Sequence, residues 1–447
     1  MKVIVIGAGV VGYNAALMVS DEGHDVVVIE QSQEKIDRIR RKMDVMTVVG
    51  SGASKRVLEE AGAKQADLVV AATDMDEVNM IACFSAKQMG AKRTIARLRR
   101  DEYLQGNGDV NFAALGIDHV ITPEVLAADE IIDVLTSGSA IAAEDFGAGK
   151  IRMVEYKIVE TPIANMPLSM VRFPKPCKVV GIVRREGMVI PRGRDAIRPG
   201  DHVYVVANRE HIRELEPLFG ITKGRGAPRN ISIFGCGRIG YQLAKALDRQ
   251  NVGVRIIEQR KDRCELLAAE LGRAKIVCSD EQELDVFREE AIPGADAFVA
   301  VTGRGELNIL MASLAKQMGV GRVIAVFNEP EYIPLAEQFG IDAAISPLLL
   351  SAGAILKFLR RGQVLSVALL EKQQAEAIEV IAAPGSQAVD RPLSELKFPA
   401  GAIVGAILRN GKAIVPDGES KIVAGDRVVI VALPSVVANV ARLFEPA

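Results

Sequence analysis

The chain offers little to tie it to a lipid bilayer, an oxidising compartment or a nucleic acid. Its 447 residues contain no run approaching the roughly 18 to 20 uncharged apolar residues that a spanning helix requires. Any work at a membrane is therefore expected to pass through a partner. The five cysteines (Cys83, Cys177, Cys236, Cys264, Cys278) are odd in number, scattered and form no Cys-x-x-Cys pair, which argues against a disulfide framework or a zinc ribbon. A reducing cytoplasm is the simplest setting. Charge of one sign is missing too: 55 basic against 57 acidic side chains leave a net charge of -2, with no global pull toward nucleic acid. Local clusters such as Arg38, Arg40, Arg41 and Lys42 read as solvated helix faces. The N-terminus lacks the basic stub and apolar stretch of a secretory leader, so none is expected.

What is present is a duplication. Residues 3–12 read Val-Ile-Val-Ile-Gly-Ala-Gly-Val-Val-Gly and residues 231–240 read Ile-Ser-Ile-Phe-Gly-Cys-Gly-Arg-Ile-Gly, so that Gly7, Gly9 and Gly12 recur as Gly235, Gly237 and Gly240 at an offset of 228. The same offset reaches the carboxylates Glu30 and Glu258, each inside an Ile-Glu-Gln triplet. One glycine motif is weak evidence, but two copies in register, each after an apolar run and each followed by an acid at fingerprint spacing, describe two nucleotide sites.

Around these motifs the pattern alternates between strand and helix. In the first copy, strands are expected at 3–6, 25–29, 45–49, 68–72 and 94–97, with helices at 12–20, 33–42, 54–61 and 77–89. Helical crossovers between strands imply a doubly wound parallel sheet. The second copy repeats the order from Asn230, and Gly116-Ile117-Asp118 returns as Gly340-Ile341-Asp342. Each copy then runs through Thr122-Pro123 or Ser346-Pro347 into an apolar helix, at 124–135 and 348–359. A region of another character follows, with short strands at 179–183, 188–190 and 203–206, or at 403–408, 413–415 and 428–431. Asn410-Gly411 between two of these runs is a strong hairpin signal. Closing helices are expected at 210–219 and 435–444, and residues 222–229 read as a linker. The expectation is four domains: nucleotide-binding units at 1–122 and 228–346, and small α+β units at 140–222 and 364–447.

In the first motif, Gly7 allows the turn out of the strand, Gly9 removes a side chain that would bar a pyrophosphate, and Gly12 lets the helix approach the sheet. Phosphates would then rest on free backbone N–H groups at the positive end of a helix. Glu30 and Glu258 are placed to accept hydrogen bonds from ribose hydroxyls, and their charge would repel a 2′-phosphate, so NAD(H) or an adenine nucleotide is expected in preference to NADP. Ser51, Thr73, Asp74 and Arg97 stand at strand ends on the ligand edge, Arg97 facing either phosphate or a partner such as Asp74 or Asp101. The second copy departs at three places: Cys278-Ser279-Asp280-Glu281 replaces the glycine-rich turn, Gly303 replaces Asp74, and Val326 replaces Arg97. It is expected to bind anionic nucleotides more weakly or to select a different one. None of the four histidines (His24, His119, His202, His211) recurs at its matching position, and no paired carboxylates, nucleophile elbow or metal-ligand spacing repeats. A cofactor site without an acid or base beside it favours sensing over turnover.

Tandem glycine motifs, Gly7-Ala8-Gly9 and Gly235-Cys236-Gly237, each trailed by a small region bearing Arg198-Pro199-Gly200-Asp201 or Val423-Ala424-Gly425-Asp426, resemble the TrkA family of regulatory subunits of Trk potassium uptake systems. The resemblance implies domains that regulate potassium conductance (RCK folds), NAD(H) and possibly ATP or ADP binding, and a homo-oligomeric ring beneath a membrane subunit of the TrkH type, on the inner face of the membrane. It also implies nucleotide contacts at Gly7, Ala8, Gly9, Val10, Val11, Glu30, Thr73, Asp74 and Arg97, and at Gly235, Cys236, Gly237, Arg238, Ile239 and Glu258. Gly12 and Gly240 complete the two motifs. Ser51 stands where related domains often carry an acid. The competing reading is an NAD-dependent oxidoreductase of unknown substrate.

Overall fold

The computed structural model describes residues 1–447 apart from 22, 101–102, 104–109, 137–141, 174–175, 185–186, 221–227, 251, 280–284, 286, 360–363, 371–373, 397 and 447. Most of the expected linker, and Asp101, Asp280 and Glu281, therefore lie outside the described residues.

The first nucleotide fold runs β1 (Lys2–Ile6), α1 (Val10–Asp21), β2 (Asp25–Glu30), α2 (Gln33–Lys42), β3 (Met46–Val49), α3 (Lys55–Glu60), β4 (Leu68–Ala71), α4 (Asp76–Met89), β5 (Thr94–Arg97) and β6 (His119–Ile121). The six strands are parallel in the order β3-β2-β1-β4-β5-β6. The apolar runs become strands because both faces are covered: Val3, Ile4, Val5, Val28, Ile29, Val69 and Val70 are all buried. α2 shows how little is needed for a helix here. Ile36 and Ile39 alone are buried, the Ser32 side chain caps the N-terminus by accepting from the Lys35 N–H, and Arg40, Arg41 and Lys42 meet the negative end of the dipole.

After α5 (Pro123–Thr136) comes a five-stranded antiparallel sheet: β7 (Ala142–Phe146), β8 (Ile151–Lys157), β9 (Cys177–Arg184), β10 (Gly187–Val189) and β11 (His202–Asn208), in the order β10-β9-β11-β8-β7. The sequence reading found only three of these strands. β7 and β8 are the two that were not expected; β8 carries Arg152 and Glu155, and both are buried: Arg152 grips Asp145 with two bonds of 2.7 Å, and Glu155 holds His202 at 2.7 Å and Tyr204 at 2.8 Å. The closing helix expected at 210–219 is broken into α6 (Ile212–Leu215) between two short 3-10 turns, since Pro217 has no N–H to continue the ladder.

The second nucleotide fold repeats the first through β12 (Asn230–Phe234), α7 (Arg238–Asp248), β13 (Gly253–Glu258), α8 (Lys261–Glu270), β14 (Lys275–Cys278), β15 (Ala297–Ala300), α9 (Gly305–Gln317), β16 (Arg322–Val326), α10 (Ile333–Gln338) and β17 (Ala343–Ile345). Its strand order, β14-β13-β12-β15-β16-β17, copies that of the first sheet. Then follow α11 (Pro347–Leu359), β18 (Val364–Leu370), β19 (Ala375–Ile381), β20 (Ala402–Arg409), β21 (Lys412–Ile414), β22 (Arg427–Ala432) and α12 (Pro434–Arg442). Asn410 and Gly411, with φ of 49° and 74°, make the tight turn between β20 and β21. The Pro-Gly-Asp and Ala-Gly-Asp motifs acquire a structural role. Asp201 closes its own turn on the Arg198 N–H (2.8 Å) while clamping Arg184, and Asp426 does the same with the Val423 N–H (2.9 Å) and Arg409.

The chain divides into two compact units that do not follow the sequence halves. Residues 1–127, 328–330 and 346–359 form one unit, and residues 128–327, 331–345 and 360–447 the other. In the first, α11 packs on α1 although some 330 residues separate them in sequence. The buried Arg93 guanidinium donates to the last carbonyls of α11, those of Phe358 and of Leu359 (3.2 Å), and His119 stacks on Phe358 at 5.2 Å. In the second unit, Arg322 donates in the same way to Val134 and Leu135 at the end of α5. Both helices thus make contacts beyond their own segment of sequence. Also within the second unit, the two small sheets share a core in which Phe146, Met153, Val180 and Val206 meet Ala377, Ala406, Leu408 and Val431.

Candidate functional site

Each nucleotide sheet brings its glycine motif to the point where the strand order reverses, between β1 and β4 or between β12 and β15. In the first copy Gly7 has φ +93°, and a Cβ there would stand 3.0 Å from the Thr73 backbone; a Cβ on Gly12 would stand 1.9 Å from the Gly7 carbonyl. Gly9 is different: a Cβ would meet nothing within 4 Å. Its bare backbone faces open space at the start of α1, where a phosphate could approach. The second copy repeats this, with Gly235 at φ +89°, Gly240 against the Gly235 carbonyl and open space at Gly237. Ala8 and Cys236 are buried in the turns, Val10 and Arg238 are exposed at the first helical position, and next to them Val11 is buried and Ile239 half-buried.

The carboxylates sit against these loops. Glu30 accepts the Ala8 N–H at 2.7 Å on Oε2, and the Gln31 and Ser32 N–H groups at 2.8 and 3.0 Å on Oε1. Burial would raise its pKa, but the N–H groups of Ser32, Ala8 and Gln31, aided by the Lys35 ammonium, outweigh it and hold Glu30 below the usual carboxylate range. Glu258 takes the Cys236 N–H at 3.0 Å, and on its other oxygen the N–H and Nε of Arg260 at 3.0 and 3.2 Å. Both acids therefore lie beside a glycine loop at the end of the second strand, where ribose hydroxyls would sit.

Thr73 and Asn79 were not joined in the sequence reading, and the structure joins them. Asn79, fully buried, accepts the Thr73 N–H at 2.9 Å and lies 2.7 Å from its hydroxyl, while its amide donates to the carbonyls of Thr73 (3.0 Å) and Arg97 (2.8 Å). It fastens the ends of β4 and β5 at the crevice. Asn308 does the same for Thr302 and Val326. The signal was available: Thr-x5-Asn recurs at 73–79 and 302–308, but an asparagine within a helical pattern is ordinarily read as surface.

Arg97 is brought to Asp74 at 3.5 Å, and Arg99 shares the same oxygen at 3.2 Å. Burial, and next the like charge of Arg99, draws the Arg97 pKa below its usual range, and the buried Arg97 Nε has no hydrogen-bond acceptor. An unsatisfied buried donor at a strand end on the ligand edge is suited to an anion. Ser51 is held in the turn after β3, its hydroxyl accepting the Ala53 N–H at 3.3 Å. The second copy carries a different electrostatic surround. Arg238, Arg260 and Arg263 stand where the first copy has Val10, Ser32 and Lys35, and Arg263 donates to the Cys236 carbonyl at 3.2 Å while lying 5.1 Å from the Tyr241 ring. Among the described residues no group of histidine, cysteine or carboxylate side chains is arranged to hold a metal.

Comparison with known proteins places this geometry in a wider setting. The family model of the TrkA-N domain matches residues 3–123 and 231–347, and that of the TrkA-C domain matches 153–220 and 377–445. Over its whole length the chain is 39% identical to Trk system potassium uptake protein TrkA homolog 2 of Methanosarcina mazei, covering all of that protein. It is 32% identical to TrkA of Halomonas elongata, again over the whole chain and 99% of the relative. Among solved structures, the GsuK channel bound to NAD superposes with a TM-score of 0.62 at 17% identity, covering 97% of this chain and 77% of the other. The GsuK RCK domain gives the same score at 16% identity, covering 99% and 94%. At such identities the likeness is one of fold: two Rossmann-like domains, each followed by a small domain.

Proposed function

The chain belongs to the TrkA family, whose TrkA-N and TrkA-C domains it carries twice, and from that premise we propose that it is a nucleotide-sensing regulatory subunit of a potassium uptake system. It binds NAD(H) at the first mouth through Gly7 to Gly12 and Glu30, with Thr73, Asp74 and Arg97 lining the far side and Ser51 beside the third strand. The second mouth, Gly235 to Gly240 with Glu258, takes an adenine nucleotide with its own preference, because three arginines replace Val10, Ser32 and Lys35. The reading rests above all on the carboxylate seated against the glycine loop in each copy. A diphosphate on the loop and a ribose at the acid are separated by the span of one adenosine diphosphate.

No helix among the described residues is long and apolar enough to cross a membrane, so conductance is controlled through a separate membrane subunit of the TrkH type, under a ring of several copies. The named members of the family are potassium uptake proteins. The lever is α1. It begins at the phosphate-facing loop and packs on α11, so occupancy of the loop acts on a helix contributed by the other half. Moving a two-state ring from 1:99 to 99:1 takes roughly 5.5 kcal/mol of differential binding. Shared over several sites, that is a modest demand on each. The crevice residues are a threonine fastened by a buried asparagine, arginines and hydrogen-bonded carboxylates, a set suited to holding a ligand and not to relaying its protons.

Potassium flux through the co-reconstituted membrane subunit, recorded with NAD, NADH, ADP and ATP, tests the proposal. Flux should depend on the nucleotide, and Glu30→Gln should blunt the response. Nucleotide-independent flux, or steady consumption of NADH with an organic substrate, would overturn it in favour of an oxidoreductase.

A further inference from the structure

The second nucleotide fold differs from the first in a way that nucleotide binding does not require. At the offset of 228, Ala8, Ile36 and Gly50 become Cys236, Cys264 and Cys278, so three of the chain's five cysteines gather around one carboxylate. Two of them share an anchor. The Cys264 thiol, on the first turn of α8, donates to the Glu258 carbonyl at 3.4 Å. The same oxygen accepts the Ser279 N–H at 3.1 Å, and Cys278, the residue before Ser279, is the register partner of Glu258 across β13 and β14. The backbone therefore holds the two cysteines on either side of a single peptide group. The Cys278 thiol is also close enough to act on that of Cys264.

Access differs sharply. Cys278 is exposed, whereas Cys264 and Cys236 are buried. Burial pushes the Cys236 thiol up to about 12, and burial followed by the contact with Cys278 does the same to Cys264. An oxidant from solvent meets Cys278 first, and the nearest reductant to the product is Cys264.

We propose that Cys278 and Cys264 form a reversible redox modification site for peroxide-class oxidants, closing to a disulfide beneath the second nucleotide site. The Cys278 sulfur attacks one peroxide oxygen, the O–O bond breaks, and the departing oxygen leaves as water with the thiol proton. Cys278 is now a sulfenic acid. The Cys264 sulfur attacks it, the S–O bond breaks, and the leaving hydroxide takes the Cys264 proton as a second water. Two thiols are oxidised to one disulfide while one hydrogen peroxide is reduced to two waters; an organic hydroperoxide would release an alcohol in place of the first water. The new bond ties the first turn of α8 to the end of β14 and so tethers the segment 258–263, which carries Glu258, Arg260 and Arg263. The first copy, with Ile36 and Gly50, has no equivalent chemistry.

The two thiols fall on separate tryptic peptides, 264–273 and 276–288. Full-length protein treated with stoichiometric hydrogen peroxide and digested without reductant should yield these peptides joined, with the loss of two hydrogens, and dithiothreitol should part them. The joined species should persist in Cys236→Ala, a change to the residue that the first copy carries. It should vanish in Cys278→Ser, whose exposed position leaves folding unaffected. Amide exchange in 258–263 should slow on oxidation of the wild type and stay unchanged in Cys278→Ser. Accumulation of Cys278 sulfinic acid with Cys264 still free, a bond to Cys236, or a bond between two chains would overturn the proposal. None of these readouts requires nucleotide, so the outcome is independent of the regulatory function.

Discussion

At the scale of the residue, the account turns on Glu30 and Glu258. The placement of each beside a glycine loop was legible in the sequence, because the spacing from loop to acid is fixed by one helix and one strand. Illegible was how each acid is held. Glu30 is gripped by three backbone N–H groups, and Glu258 by one such group from Cys236 plus the N–H and side chain of Arg260. Neither the loop N–H contacts nor the arginine substitution announces itself in a spacing rule. The asparagine fasteners Asn79 and Asn308 escaped for a similar reason, since a buried amide at a strand end looks like any helical asparagine. The grip on Glu30 has a pH signature. Its folded pKa lies below the ordinary 4.5, so the unfolded chain takes up the proton first as the medium is acidified. The stabilisation is complete above the unfolded value and is lost as pH falls through the folded one. Chemical denaturation of wild type and Glu30→Gln across roughly pH 5 to 3 should show a shallower decline in the variant. Identical slopes would mean that the acid is not held as described.

At the scale of the element, the sequence was legible where burial followed periodicity over a whole element, whereas the three-residue strands β6 and β17 are too short to show a period. α2 and β5 were found with their observed ends, and the Asn410-Gly411 hairpin formed where turn chemistry required it. The sequence reading failed where charge goes inside. β7, β8, β18 and β19 were all missed, and β8 and β19 bury charged residues: Arg152 paired with Asp145 and Glu155 hydrogen-bonded to His202 and Tyr204 in one sheet, Glu379 paired with Arg427 in the other. A pattern rule that assigns charge to solvent cannot see such strands. The arginine clamps were likewise invisible, because Arg93 and Arg322 act on helices about 265 and 190 residues away. Each buried guanidinium satisfies the terminal carbonyls of a helix and opposes the negative end of its dipole. Removing it leaves buried acceptors unpaired, at a cost of about 1 to 3 kcal/mol. Arg93→Ala should therefore speed amide exchange across α11 while leaving α2 unchanged. Uniform exchange in both helices would show that the clamp does not hold α11.

At the scale of the molecule, duplication was plain in the sequence, but the exchange of helices between the halves was not. α11 belongs to a unit otherwise built almost wholly from the first half, and most of α5 is counted with the second. Periodicity marked both helices as apolar without saying which sheet they cover, as partner choice depends on loop paths that no local pattern encodes. The halves are therefore not independent. A fragment of residues 1–222 lacks α11, exposing the face of α1 and leaving Arg93 without its carbonyls. It should melt at lower temperature and less cooperatively than the intact chain, and adding a synthetic peptide of 346–360 should raise its midpoint. A fragment as stable as the full protein would refute the exchange. For the same reason, nucleotide titrations belong on the intact chain.

On the proposed function, an adenosine diphosphate moiety seats at each glycine loop and is read through its acid. Isothermal titration of the intact chain with NADH and with ATP, in wild type, Glu30→Gln and Glu258→Gln, tests it most directly. Hydrogen bonds to a charged acceptor contribute about 1.5 to 3 kcal/mol, so Glu30→Gln should weaken NADH at one site by roughly 10 to 100-fold. The other site should keep its affinity until Glu258 is changed as well. Absence of saturable nucleotide binding, or affinities indifferent to both substitutions, would contradict the account.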